Sequence, residues 1–174
     1  MKTVLRWVAG LVVACVLAPG VAPAFALGLP VVSSRAQVWV AGRQMPFSHL
    51  GITYGDPVAP VSDPGLQAML AAVGARSSWQ PGTRFIAISR GDGKLVTFTL
   101  GSNAVSIDGA PASMPFAPFS AGADLYLPLL PLARALDLGV RGFHGGYVFV
   151  PQIVSVTPHR EGSAMVVTIA GSAP

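Results

Sequence analysis

Charge is what this sequence has least of. Only 10% of its 174 residues are Asp, Glu, Lys or Arg, and glutamate occurs once, at Glu161. Cysteine also occurs once, at Cys15, which leaves no internal disulfide and no thiolate zinc site. The three histidines, His49, His144 and His159, read as isolated surface residues in loops or turns, with no partner at metal-ligand spacing. No Gly-x-Ser-x-Gly nucleophile motif is present. Gly91-Asp92-Gly93-Lys94 lacks the first glycine and the closing Ser/Thr of a phosphate loop and reads as a hairpin turn. Gly139, Gly142, Gly145 and Gly146 lack the dinucleotide-binding spacing and follow a helical pattern, not a strand. Asp124 and Asp137 flank that helix and read as capping residues, not as paired acids. The arginines are scattered, so the high pI of about 9.8 reflects few charges and not a basic patch; nucleic-acid binding is excluded. These absences argue against an enzyme. No catalytic residue, cofactor or metal is expected.

What is there begins with a leader. Lys2 and Arg6 precede an apolar run, Trp7–Leu17, that is shorter than the ~20 residues a membrane span requires. Pro19 and Pro23 follow, and Ala24-Phe25-Ala26 has the small-x-small form of a cleavage site. Residues 1–26 therefore read as a signal peptide, and the protein is expected in the periplasm, cell wall or extracellular space, with no stable span after cleavage. The competing reading is a lipoprotein attached through Cys15. Residues 27–35 read as a linker.

The rest of the chain is written twice. In Ala123–Val150 the apolar stripe Leu129, Leu132, Ala133 and Leu136 predicts a short helix. Pro128 and Pro131 stand at its start, and Asp137 and Gly139 at its end. A strand over Tyr147–Val150 follows a glycine-rich turn. Earlier, Leu66, Met69, Leu70 and Val73 repeat the stripe, with Asp63-Pro64 as N-cap and first helical residue and Gly74 as the stop. Phe85–Ile88 is the strand after it. Before each helix the copies also agree. Val38-x-Val40-x-Gly42 matches Val105-x-Ile107-x-Gly109, and Met45-Pro46-Phe47 matches Met114-Pro115-Phe116. Gly91-Asp92-Gly93 and Asp108-Gly109 predict hairpin turns. Pro46–Ser62, rich in Gly and Pro, reads as a long surface loop. Ile153–Val156 and Met165–Ile169 predict a terminal hairpin, which is marginal alone.

This duplicated plan resembles the copper amine oxidase N-terminal-like domain, or stalk domain, of bacterial envelope proteins. Asp108-Gly109, Leu127-Pro128-Leu129 and Ala133-Arg134-Ala135-Leu136 carry the likeness in the second copy, and Gly74 followed by Trp79 in the first. The sequence departs from that pattern where Asp63-Pro64-Gly65 replaces Val-Pro-Leu and where Asp137 replaces Gly. The likeness covers Ala36–Val150. The terminal hairpin is similar to the opening of an AMIN domain. Stalk and AMIN modules precede the catalytic domain in some N-acetylmuramoyl-L-alanine amidases, zinc enzymes that cut peptidoglycan.

The expected architecture is α+β: a pseudo-duplicated small domain of antiparallel strands with one short helix per copy (36–150), followed by an AMIN-like hairpin, possible as a truncated domain (151–174). The expected function is an exported, non-catalytic envelope module, either a spacer or a domain that binds peptidoglycan or another envelope component. The alternatives are the targeting part of a cell-wall amidase and a periplasmic module that binds a protein partner. Aromatics on exposed turns suit stacking on sugars, and Trp79 and Phe143 are the candidate ligand-binding residues. Trp39 and Tyr147, in strands, read as core.

Overall fold

The computed structural model describes residues 31–80 and 82–171. The signal peptide and Cys15 lie outside the described residues. The order is β1 (Val32–Ser33), β2 (Gln37–Val40), β3 (Arg43–Gln44), β4 (Gly51–Thr53), β5 (Asp56–Pro60), α1 (Pro64–Ala72), β6 (Ala75–Ser78), β7 (Phe85–Arg90) and β8 (Leu95–Thr99). The second copy follows as β9 (Ala104–Ile107), β10 (Ala110–Ser113), β11 (Phe119–Ala121), β12 (Asp124–Pro128), α2 (Leu129–Ala135), β13 (Leu138–Phe143) and β14 (Gly146–Pro151). β15 (Ile153–Glu161) and β16 (Ala164–Gly171) form the terminal hairpin. The architecture is α+β, with antiparallel strands, one short helix in each copy and the hairpin at the end.

Each copy is two hairpins, a helix and a third hairpin. The turns are fixed by local chemistry. Ala41-Gly42, Tyr54-Gly55 and Asp108-Gly109 all have two successive residues at positive φ, the requirement of a two-residue turn that matches strand twist. α1 starts at Asp63, whose side chain accepts from the Gly65 amide, with Pro64 in the first turn. It ends where Gly74 takes φ +69°. α2 ends on Asp137 at φ +59°. All eight stripe residues, Leu66, Met69, Leu70 and Val73 and Leu129, Leu132, Ala133 and Leu136, have no exposed surface. Burial of each larger side chain contributes roughly 1.5–3 kcal/mol.

The copies do not fold side by side. They exchange hairpins. The central sheet, β1-β4-β5-β12-β11, joins the copies through antiparallel β5 and β12. A second sheet, β13-β14-β2-β3, pairs the last hairpin of copy two with the first hairpin of copy one. The third, β10-β9-β8-β7-β6, does the reverse, with β8 as the connector between the copies. The β14–β2 pairing is parallel, and Gly146 permits it, because a Cβ there would collide with the Gln37 carbonyl oxygen. One large core cluster draws on β2, α1, β7, β8, β12, α2 and β14 together.

Three segments correct the reading of the sequence. Pro46–Ser62 is not a loop: Gly51–Thr53 and Asp56–Pro60 pair as a hairpin, and Val58 and Ala59 are fully buried. Glycine and proline disguised it, yet Pro57 and Pro60 flank the two buried residues. Each helix is followed first by a strand, β6 or β13, and then by the one foreseen. Most of the glycine-rich turn after α2 is therefore strand β13, and the turn itself is only His144-Gly145.

Asp63 is the buried carboxylate that holds the first copy together. Its side chain is fully covered. It accepts from the amides of Ser48 (3.0 Å), His49 (2.7 Å) and Gly65 (2.7 Å). It thus ties the segment after Met45-Pro46-Phe47 to the start of α1. Asp63→Ala leaves three amides short of an acceptor and removes the cap, so it should cost about 2–4 kcal/mol. Asp63→Asn, which keeps one carbonyl acceptor, should cost less. Urea unfolding of the three proteins checks the order.

Candidate functional site

Trp79 follows β6 and is half-buried, with its indole N–H 3.4 Å from the Thr83 carbonyl oxygen. It stands in a cleft of about 370 Å³ lined by Val61, Ser62, Gln67, Ser77, Asp124 and Leu125. Gln67 spans the floor of hydrogen bonds, donating to the Val61 carbonyl oxygen (2.6 Å) and to the Ser77 hydroxyl oxygen (2.9 Å). The Ser62 hydroxyl lies 3.4 Å from Asp124 Oδ1. One shallow cleft thus gathers an aromatic ring, a carboxylate, an amide and two hydroxyls, groups that can stack on an apolar face and exchange hydrogen bonds with hydroxyls. The cleft also crosses the duplication, because Asp124 and Leu125 belong to copy two.

Phe143 ends β13, is 43% exposed, and borders a different, more open cleft with Ser34, Ala36, Ile52, His144 and Tyr147. The structure does not bring the two candidate residues together. Trp39 and Tyr147 are half-buried, and Tyr147 packs against the main core.

A third cleft went unseen in the sequence. Tyr54, Asn103, Pro115, Phe116, Pro118 and Phe119 border about 310 Å³. The Tyr54 ring meets Phe116 edge-on at 6.1 Å and is itself 73% exposed. Phe119 stacks on Tyr126 at 5.4 Å. The spaced aromatics and prolines of Pro115–Phe119 are the signal in the sequence, but their partner Tyr54 lies far away in a Gly- and Pro-rich segment.

The charged residues are used structurally. Arg90, at the end of β7, has a side chain only 7% exposed. It donates to the Leu136 carbonyl oxygen (2.7 Å) and meets Asp92 (2.7 Å) and Asp137 (3.1 Å). Lys94 reaches Asp137 at 2.5 Å. Two cations of copy one therefore close the C-terminal end of α2 in copy two, where orphan carbonyls and the helix dipole favour positive charge. This explains Asp137 in place of glycine. The left-handed conformation is strained for it, and its carboxylate offsets that by pairing with Lys94 and Arg90. Gly91-Asp92-Gly93-Lys94 is a hairpin turn, and Arg90 N–H closes it on the Lys94 carbonyl oxygen at 2.9 Å.

The histidines need one correction. His159 is not in a loop but in β15, with Nε2 3.2 Å from Glu161 Oε1. Strand geometry puts residues two apart on one face. His49 Nδ1 lies 3.7 Å from Asp63. Among the described residues no three His, Cys, Asp or Glu side chains gather to hold a metal ion, and no helix is long and apolar enough to cross a membrane.

The fold is a duplicated, β-rich module in which Arg90, Lys94 and Asp137 tie one copy to the other. Residues 65–142 match the family model of the copper amine oxidase N-terminal domain, a non-catalytic domain. That stretch runs from the start of α1 into β13 and is a little under half of the chain. It does not reach the terminal hairpin, so the likeness of that hairpin to an AMIN domain, and the amidase reading that depends on it, rest on no comparison. No curated protein and no solved structure matches the chain.

Asp92 gives a pH test of the charged lock. The hydrogen bond from Arg90 holds its carboxyl down at about 2, below its ordinary 3.8. A lowered carboxyl stabilises the fold above its unfolded value, and that contribution is lost as the pH falls from about 4 to about 2. Asp92 is half exposed, so the effect is modest. Thermal unfolding of Asp92→Asn should show a smaller loss of stability over this window than the parent.

Proposed function

We propose that this chain is an exported, non-catalytic module of the cell envelope that binds the glycan of peptidoglycan through the cleft around Trp79. The observation that carries the reading is the cleft itself, where a half-buried indole stands beside Asp124, Ser62, Ser77 and Gln67. Amino-sugar rings offer an apolar face for the indole and hydroxyl and N-acetyl groups for the polar rim. The likeness to a non-catalytic domain supports the absence of chemistry. The leader Met1–Ala26 supports delivery to the compartment where peptidoglycan lies.

The experiment is sedimentation of the purified chain with insoluble sacculi. The parent should pellet with them, and Trp79→Ala should weaken binding about tenfold, the equivalent of roughly 1–1.5 kcal/mol of lost stacking. Phe143→Ala, in the other cleft, should leave binding unchanged. Absence of the parent from the pellet would overturn the wall-binding claim and leave a spacer or a module for a protein partner.

A further inference from the structure

The Trp79 cleft is one-sided in its chemistry, because its nitrogen donors are turned into the protein. Both hydrogens of the Gln67 amide are committed, one to the Val61 carbonyl oxygen (2.6 Å) and one to the Ser77 hydroxyl oxygen (2.9 Å). A carbonyl oxygen can only accept, so the Val61 contact fixes which way round the amide sits. The indole N–H of Trp79 points at the Thr83 carbonyl oxygen (3.4 Å). The Ser62 hydroxyl lies 3.4 Å from Asp124 Oδ1, and a carboxylate likewise only accepts.

What these residues leave for a ligand is electron-rich. Gln67 is exposed, and its Oε1 receives no hydrogen bond among the described residues. Asp124 is exposed as well and is the one charged residue that lines the cleft. Asp92 and Asp137 are paired with Arg90 and Lys94, but among the described residues no cation pairs with Asp124. The face of the Trp79 indole carries the negative side of the ring quadrupole.

We infer that this cleft, resting on its reading as the glycan site, takes an amino sugar whose nitrogen is a free ammonium in preference to the N-acetylated form. An ammonium brings three N–H donors and a positive charge. The Asp124 carboxylate and the Gln67 carbonyl oxygen accept those donors, and the indole face attracts the cation. An acetamido group brings one N–H, no charge, and a carbonyl oxygen that finds no donor in either group. The cleft is shallow and water reaches the carboxylate, so the preference is modest, about fivefold. A sugar suits the site better than the ammonium of a lysine side chain, because its ring offers a C–H face to the indole and hydroxyls to Ser62 and Ser77.

The test is calorimetric titration of the purified chain, in mildly acidic low-salt buffer, with the tetrasaccharide of glucosamine and that of N-acetylglucosamine. The parent should bind the first about fivefold more tightly, and the difference should fade at about 0.5 M salt, where exposed charges are screened. The net charge of +4 opposes a cationic probe, so non-specific attraction does not mimic this result. Asp124→Asn should bind the two sugars alike. Asp56→Asn removes the same charge at the equivalent place in the first copy, outside the cleft, and should keep the parent's preference. Trilysine should bind more weakly than the glucosamine tetrasaccharide. Equal binding of the two sugars by the parent, or a preference that survives Asp124→Asn, would overturn the proposal and leave the glycan reading standing. Trilysine as tight as the glucosamine tetrasaccharide would overturn it in favour of any cation. Binding of neither sugar would overturn it together with the glycan reading.

Discussion

The pairing of Ala59 with Leu127 is the constraint on which the rest of the domain depends. These residues oppose each other in β5 and β12, and both are fully buried. Asp56–Pro60 and Asp124–Pro128 are equivalent segments, each opening on aspartate and closing on proline. Tyr126 opposes Pro60, and Pro128 opposes Val58, so the register is symmetric about the central pair. The two copies therefore meet as the halves of a two-fold dimer would, inside one chain. A slip of one residue would take Ala59 off the face that it shares with Leu127 and end the symmetry. The hairpin exchange follows from this arrangement. The first hairpin of copy one lies beside the last of copy two, the first of copy two is joined to the last of copy one through β8, and neither copy closes a sheet of its own.

Symmetry is kept where the core is apolar and broken where polar groups need partners. Between β5 and α1 the first copy carries an extra turn, Val61–Asp63, whereas β12 runs directly into α2. The extra turn brings the Asp63 carboxylate beneath the Ser48 and His49 amides, and a buried carboxylate with three amide donors is well satisfied. The second copy has its own device at the other end of its helix. Arg90 and Lys94 cross from copy one to Asp137 and to the Leu136 carbonyl oxygen. Asp63 and Asp137, with Arg90 and Lys94, thus hold junctions between segments.

Much of this was legible in the residues. Asp63-Pro64, the two apolar stripes and the Asp108-Gly109 turn each state a local rule, and local rules suffice for helices and tight turns. The β4–β5 hairpin was lost because its strands are short and contain glycine and proline, which normally mark loops. β6 and β13 were lost because Ala75–Ser78 and Leu138–Phe143 have little strand character; pairing with β7 and β14 makes them strands. The exchange between copies has no local signature at all. The same division applies to the sites. Trp79 was recognisable as an aromatic beyond a helix stop, but its neighbours Asp124 and Leu125 come from a distant hairpin of the other copy.

The duplication also relates the two clefts that hold Trp79 and Phe143. Each aromatic stands at the end of the first strand after its helix, β6 in one copy and β13 in the other. Each cleft is closed by the middle hairpin of the opposite copy, through Ala123–Leu125 in one case and Ile52 in the other. The lining has diverged. The Trp79 cleft has a carboxylate, an amide and two hydroxyls, whereas the Phe143 cleft sets three glycines beside Ser34, His144 and Tyr147. Of these glycines Gly146 serves strand packing, against Gln37. Beside Trp79, Gln67 and Ser77 are engaged with each other and with the Val61 carbonyl oxygen, whereas the Ser62–Asp124 contact is long and exposed. The two clefts thus descend from one plan and differ in what they present, with polar side chains from both copies beside Trp79 and a more open, glycine-rich rim beside Phe143.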